Sequence, residues 1–176
     1  ASVTGTGAKE LVVGTNTVTL TVTSGDKTKK TYTVNIIREK DTDNTLKSLS
    51  IKGCSLTPTF DSNTTSYTCT VENSVKVAEI SLEANSSVAT LKYENQNLNV
   101  GENTVNIVVT AQNGVAKTYQ VVVTRKANSD ATLKSLTVSS GTLSPTFSSS
   151  TTSYTVSVPY SVSSITVGAT VNNSEA

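Results

Sequence analysis

Histidine, methionine and tryptophan are absent from this chain of 176 residues. Without an imidazole there is no side chain poised for acid–base work at neutral pH. Two cysteines cannot supply a four-ligand zinc site, and with no histidine beside them neither is an activated thiol. Charged residues make up only 15% of the chain and sum to +1, so no field of one sign draws it to nucleic acid or to an anionic membrane. No apolar run approaches the roughly 20 residues that a membrane-spanning helix needs, and no membrane insertion is expected. The only glycine pair near a phosphate-loop pattern, Gly5-Thr6-Gly7, is short and precedes no helix. Glu72, Glu79, Glu83, Glu94 and Glu102 are scattered over polar-phase and loop positions, which argues against the facing carboxylates of a glycosidase. No catalytic residue is assigned, and no enzyme is expected.

What is abundant is threonine, 32 residues by count, together with serine, valine and asparagine. Threonine and valine are branched at Cβ and favour pleated, half-buried surfaces. Val18-Leu20-Val22 alternates with Thr17, Thr19, Thr21 and Thr23, and Tyr32-Val34-Ile36 alternates with Thr31, Thr33 and Asn35. A period of two puts one face of each strand into a core and leaves a threonine face in water.

The chain also repeats itself. Leu11-x-Val13-Gly14-x-Asn16-Thr17-Val18 returns 87 positions later as Leu98-x-Val100-Gly101-x-Asn103-Thr104-Val105. Lys30-Thr31-Tyr32-x-Val34 and Arg38 return as Lys117-Thr118-Tyr119-x-Val121 and Arg125. Leu46-Lys47-Ser48-Leu49 returns as Leu133-Lys134-Ser135-Leu136, and Pro58-Thr59-Phe60 with Tyr67 as Pro145-Thr146-Phe147 with Tyr154. So long a period suits one small all-β unit and is too large for a solenoid turn. The intact copy reads as strands at Leu46–Ile51, Leu56–Phe60, Tyr67–Val71, Val77–Leu82, Ala89–Tyr93, Val105–Val109 and Tyr119–Val123. Asn113-Gly114 signals a hairpin between the last two. Seven short strands in some 80 residues predict an all-β fold of tandem Ig-like antiparallel β-sandwiches.

The phase of the repeat places residues 45–126 as a complete unit. It places 1–39 as the C-terminal half of a preceding unit and 132–176 as the N-terminal half of the next. The polar, turn-rich stretches Arg38–Asn44 and Arg125–Asp130 read as joints. Three readings stand: a piece of a longer array, halves that complete one another head to tail between molecules, or a different phase with units at 1–88 and 89–176. The polar joints count against the third.

Leu46-x-x-Leu49-x-Ile51, Leu56-x-Pro58-x-Phe60, Thr65-x-Tyr67, Val100-Gly101-x-Asn103-Thr104 and Lys117-Thr118-Tyr119-x-Val121-x-Val123-x-Arg125 together resemble the cadherin-like β-sandwich repeat of bacterial cell-surface and secreted proteins. The resemblance spans the central unit and both flanking halves. It implies an extracellular, tandemly repeated sandwich at a bacterial cell surface, and it implies no activity.

Four groups of candidate residues follow. Glu39, Asp41, Asp43 and Asn44 offer oxygen ligands that a loop from the adjacent unit would have to complete for calcium. The equivalent joint keeps only Asn128 and Asp130, so a solvated linker without cofactor is the competing reading. Cys54 and Cys69 are candidates for a disulfide closing a loop of about 15 residues. Tyr93 and Tyr160 do not recur in the repeat and are candidate ligand-binding aromatics, with cell-wall or host glycans as the partner. The recurring tyrosines read instead as core. Finally, Leu133, Leu136, Val138, Leu143, Phe147 and Tyr154 on one side, and Leu11, Val18, Leu20, Val22, Tyr32, Val34 and Ile36 on the other, are candidates for a core assembled in trans. The function these features suggest is a non-catalytic structural repeat, a spacer or adhesion stalk whose partners are neighbouring repeats or copies of itself. A carbohydrate- or surface-ligand-binding module of a secreted multidomain protein is the alternative.

Overall fold

A computed structural model describes residues 1–174; the end of the expected half-unit at 132–176 lies outside the described residues. The strands run in chain order as β1 (Ser2–Thr4), β2 (Gly14–Thr23), β3 (Lys29–Arg38), β4 (Leu46–Ile51), β5 (Ser66–Val71), β6 (Val77–Ala78), β7 (Ile80–Ala84), β8 (Thr90–Lys92), β9 (Gln96–Asn97), β10 (Gly101–Thr110), β11 (Ala116–Arg125), β12 (Leu133–Val138) and β13 (Val167–Val171). No helix occurs among the described residues. The fold is all-β, as the threonine–valine alternation implies.

One four-stranded sheet has the order β5-β11-β10-β8, and β4–β7 and β6–β9 form two-stranded ribbons. β10 and β11 pair antiparallel from Gly101–Arg125 to Thr110–Ala116. Their hairpin turns through Ala111–Gly114, where the Gly114 amide donates to the Ala111 carbonyl at 2.9 Å and Gly114 has φ +92°. A side chain there would be strained, so the Asn-Gly signal reports a backbone need. β5 runs parallel to β11, with Tyr67 opposite Val121 and Cys69 opposite Val123. Alternate residues of β4, β5, β10 and β11 point inward. Leu46, Leu49, Ile51, Tyr67, Cys69, Val71, Val105, Ile107, Val109, Tyr119, Val121 and Val123 close into one buried cluster.

Three expected strands come out differently. Leu56–Phe60 holds only an isolated bridge, Thr57 to Thr68, because Pro58 brings no N–H to a ladder. Val77–Leu82 is broken at Glu79. Ala78 pairs with Gln96 in one ribbon and Ile80 with Ile51 in another, so the chain changes sheets within two residues. Ala89–Tyr93 contracts to Thr90–Lys92.

Outside the central stretch lie two smaller sheets. β2 and β3 form a long hairpin in the same register pattern as β10 and β11, with Val18 opposite Val34 and Leu20 opposite Tyr32. β1 adds to its free side, Val3 against Val22. β12 pairs with β13.

Candidate functional site

At the joint before β4, the chain spends its carboxylates on its own backbone. Asp41 Oδ1 accepts the Asp43 amide at 2.9 Å and Asp41 Oδ2 accepts the Ser86 hydroxyl at 2.5 Å. Asp43 accepts both the amide and the hydroxyl of Thr45. Asn44 Nδ2 reaches the Val115 carbonyl at 3.5 Å, and Glu39 is exposed. The Ser86 hydroxyl, then the Asp43 amide, hold the Asp41 carboxyl below its ordinary value of 3.8. The joint leans on the hairpin tip: the Asp41 amide donates to Gln112 Oε1 at 3.0 Å and its carbonyl accepts the Asn113 amide at 3.1 Å. Among the described residues no three His, Cys, Asp or Glu side chains gather as a metal would require, so the structure does not bring the four candidate calcium ligands together. The next joint repeats the local device. Asp130 accepts from Thr132 and from Asn172 Nδ2, and Thr132 and then Asn172 lower its pKa.

Cys54 and Cys69 are joined as a disulfide, with their Cα atoms 5.7 Å apart, pinning the chain beyond β4 to β5. Its counterpart pair is Gly141 and Val156. A Cβ added to Gly141 would stand 2.5 Å from Val156 Cγ1, so the flanking half replaces a covalent tie with close packing.

Tyr93 and Tyr160 are both exposed and do not share a site. Tyr93 lies on the rim of a groove of about 490 Å³ with Lys92, Asn95, Gln96, Asn97 and Asn106. Tyr160 projects fully into solvent.

Of the thirteen residues proposed for a trans core, eleven are more exposed than their counterparts, while Leu143 and Phe147 match Leu56 and Phe60, which are half-buried too. Tyr119 and Val121 are fully buried, whereas Tyr32 is 47% and Val34 46% exposed. Leu11, Val18, Leu20, Val22 and Ile36 are only half-buried, where Leu98, Val105, Ile107, Val109 and Val123 are buried. Leu133, Leu136, Val138 and Tyr154 are half-buried, where Leu46, Leu49, Ile51 and Tyr67 are buried; Leu143 and Phe147 are half-buried. Most of the two sets are thus partly exposed where the complete unit buries the equivalent side chains.

Each half is nevertheless locally built. Asn103, buried, accepts the Asn99 amide at 2.8 Å and donates to the Asn99, Gly101 and Val123 carbonyls. Asn16 accepts the Val12 amide at 2.9 Å and donates to Val12, Gly14 and Ile36. Tyr67 donates to the Asp61 carbonyl at 2.7 Å and stacks on Phe60; Tyr154 donates to Ser148 at 2.7 Å and stacks on Phe147. Lys117 covers the Tyr119 ring and Lys30 the Tyr32 ring, both at 5.4 Å. Sequence reasoning missed the roles of Asn16, Asn103, Ser86 and Arg125. For the asparagines the signal was present, a polar residue recurring two places after a recurring glycine. Arg125 recurs as well, at Arg38, but its partners at least 27 residues away were not legible; for Ser86, whose partner lies 45 residues away, there was no signal.

The family model described as Cadherin-like beta sandwich domain matches residues 46–126 and 133–176. The chain belongs to this family. Neither a curated protein nor a solved structure gives a match. Cadherin-like sandwiches are structural or adhesion-type modules, generally without catalysis and typically extracellular. Among the described residues no helix is long and apolar enough to cross a membrane. The matched stretch 46–126 contains the whole buried core of the cadherin-like sandwich, and the second match begins on β12.

Proposed function

We propose that this chain is an extracellular, non-catalytic spacer whose repeats complete one another. The half-sandwich at residues 1–39 takes the complementary half presented by residues 132–176 of a neighbour, and the units build a head-to-tail stalk or filament. The observation that bears on this reading is the contrast at Tyr32 and Val34, exposed where Tyr119 and Val121 are wholly buried by the first half of their own unit: such a face calls for the other half of a sandwich, from a neighbouring repeat or from a second copy. Apolar faces of this kind, beside an open strand edge, are a liability that native proteins cover. Light scattering across a concentration series, with negative-stain images, tests it. Growth into regular fibres is the expected outcome; a monomer at every concentration would sink it.

A second reading has its own support. The Tyr93 groove combines one aromatic face with the amide side chains of Asn95, Gln96, Asn97 and Asn106 and the charged Lys92 and Glu94, a mix of stacking face and hydrogen-bonding groups that suits a sugar. Binding of cell-wall or host oligosaccharides, titrated against the Tyr93→Ala variant, tests that reading; no saturable binding in either protein would end it.

A further inference from the structure

Within the complete unit the chain leaves one sheet for another between β8 and β9, and the departure opens a groove. Lys92 is the last residue of β8 to pair with β10, opposite Val108. The chain then crosses to β6, where Gln96 faces Ala78 and Asn97 faces Val77. The gap of about 490 Å³ has residues 92–97 as one wall and Thr104, Val105, Asn106 and Val108 of β10 as the other. Both walls are tied down. Asn95 Oδ1 accepts the Ile80 amide at 3.1 Å, and Asn106 Oδ1 accepts Gln120 Nε2 at 3.3 Å. Neither asparagine Nδ2 has a hydrogen-bond partner among the described residues, so two amide donors are held in place near the partly exposed Tyr93 ring.

The repeat supplies a comparison within the chain. Leu98, Val100, Gly101, Asn103, Thr104 and Val105 each stand 87 places after an identical residue, but the groove's other residues do not recur. Lys92-Tyr93-Glu94-Asn95-Gln96-Asn97 answers to Gly5-Thr6-Gly7-Ala8-Lys9-Glu10, and Asn106 and Val108 answer to Thr19 and Thr21. That copy has neither the aromatic ring nor the amides. Its Gly5 lies directly on β2, where a Cβ would collide with the Thr19 carbonyl oxygen. The hairpin is thus built in both copies, and the chemistry of the groove in one.

We infer that the groove binds an internal stretch of a neutral, linear polysaccharide, a claim that rests on the sugar-binding reading above. Lys92 and Glu94 both line it and offset each other, so no net field favours a charged ligand. Amide side chains donate and accept, as sugar hydroxyls do. The β10 wall from Thr104 to Val108 runs about 13 Å at roughly 3.3 Å per residue, longer than a single sugar ring. Most of the lining is exposed, so a chain enters and leaves along β10 without needing a free end.

The test is titration of the whole chain, followed by its side-chain amide NMR signals. The probes are glucose, mannose and N-acetylglucosamine, their linear oligomers of increasing length, and galacturonate oligomers as the acidic series. Affinity for a neutral series is expected to rise about tenfold from the single sugar to the trimer and then level off, with the Asn95 and Asn106 amide signals moving. Galacturonate oligomers of equal length are expected to bind no tighter. Tyr93→Thr and Asn106→Thr, which write in the residues of the other copy, are each expected to weaken trimer binding about tenfold and leave the urea midpoint unmoved. Equal affinity for single sugar and oligomer, or tighter binding of galacturonate, overturns the neutral-chain assignment and leaves the sugar-binding reading standing. No saturable binding, or binding that both variants leave untouched, overturns both.

Discussion

The hydroxyl of Tyr119 accepts the amide proton of Leu46 at 3.1 Å, across 73 residues of chain. Leu46 opens the first strand of the complete sandwich and Tyr119 lies on its last, and both are fully buried. The same oxygen donates to the Ser62 carbonyl, so one phenol closes the two halves of the unit. In the flanking halves the equivalent tyrosine, Tyr32, is half exposed.

Tyr119→Phe is therefore expected to cost the central unit about 1–3 kcal/mol, because the buried Leu46 amide is left without a partner. Urea unfolding measures it. The same change at Tyr32 is expected to leave that midpoint unmoved and to raise the concentration at which assembly begins.

Reduction of Cys54–Cys69 is expected to lower stability by about 3 kcal/mol, the chain-entropy value for a 15-residue loop. Unfolding with and without reductant reads it directly. The Cys54→Gly/Cys69→Val variant, which writes Gly141 and Val156 into the central unit, is expected to recover part of that loss through packing. A midpoint indifferent to reductant would contradict the prediction.

A charge separates the two roles of the apolar faces. Val34→Lys, on the open face, is expected to abolish assembly and leave the urea midpoint within about 0.5 kcal/mol. Val121→Lys, at its fully buried counterpart, is expected to cost about 4 kcal/mol or more, since an unpaired charge would enter the core. Assembly by Val34→Lys at the wild-type concentration would refute the trans core.

The joints respond to acid in a stated direction. Hydrogen bonds from Ser86 to Asp41, and from Thr132 and Asn172 to Asp130, lower both folded-state pKa values below the ordinary 3.8. A depressed carboxyl contributes stability that is fully present above 3.8 and lost as pH falls through the folded value. Side-chain carbon shifts followed from pH 6 to 2 are expected to show Asp41 titrating below 3.8, and Ser86→Ala is expected to move it upward. An unmoved Asp41 would show that the Ser86 contact does not persist in solution.

Calcium at the first joint has a direct check. Asp41 and Asp43 are occupied by Ser86, Thr45 and backbone amides. Millimolar calcium against EDTA is expected to leave the thermal midpoint unchanged, and a rise of several degrees would show a calcium site there.

Strand identity was legible where one face is buried over several residues. The alternation Val105-Ile107-Val109 and Tyr119-Val121-Val123 has a single physical solution, a sheet with one dry face. Legibility failed where local and distant demands compete. Nothing at Glu79 announces that Ala78 pairs with Gln96 and Ile80 with Ile51, because the switch is set by which partner strand lies alongside. The oxygens of Asp41 and Asp43 read as candidate ligands because Ser86, the partner of Asp41, is 45 residues away, and the remaining bonds run to backbone amides and to the Thr45 hydroxyl.

The sequence by itself determined the all-β class of fold and its cadherin-like family, because side-chain periodicity and turn chemistry are local properties written along the chain. Only the tertiary structure decided that β5 lies parallel on β11, that Tyr119 closes on Leu46, and that Tyr32 and Val34 face solvent. Those relations depend on which distant segments share an edge or a face, and pairing across space is specified by the whole packed unit rather than by any stretch of its residues.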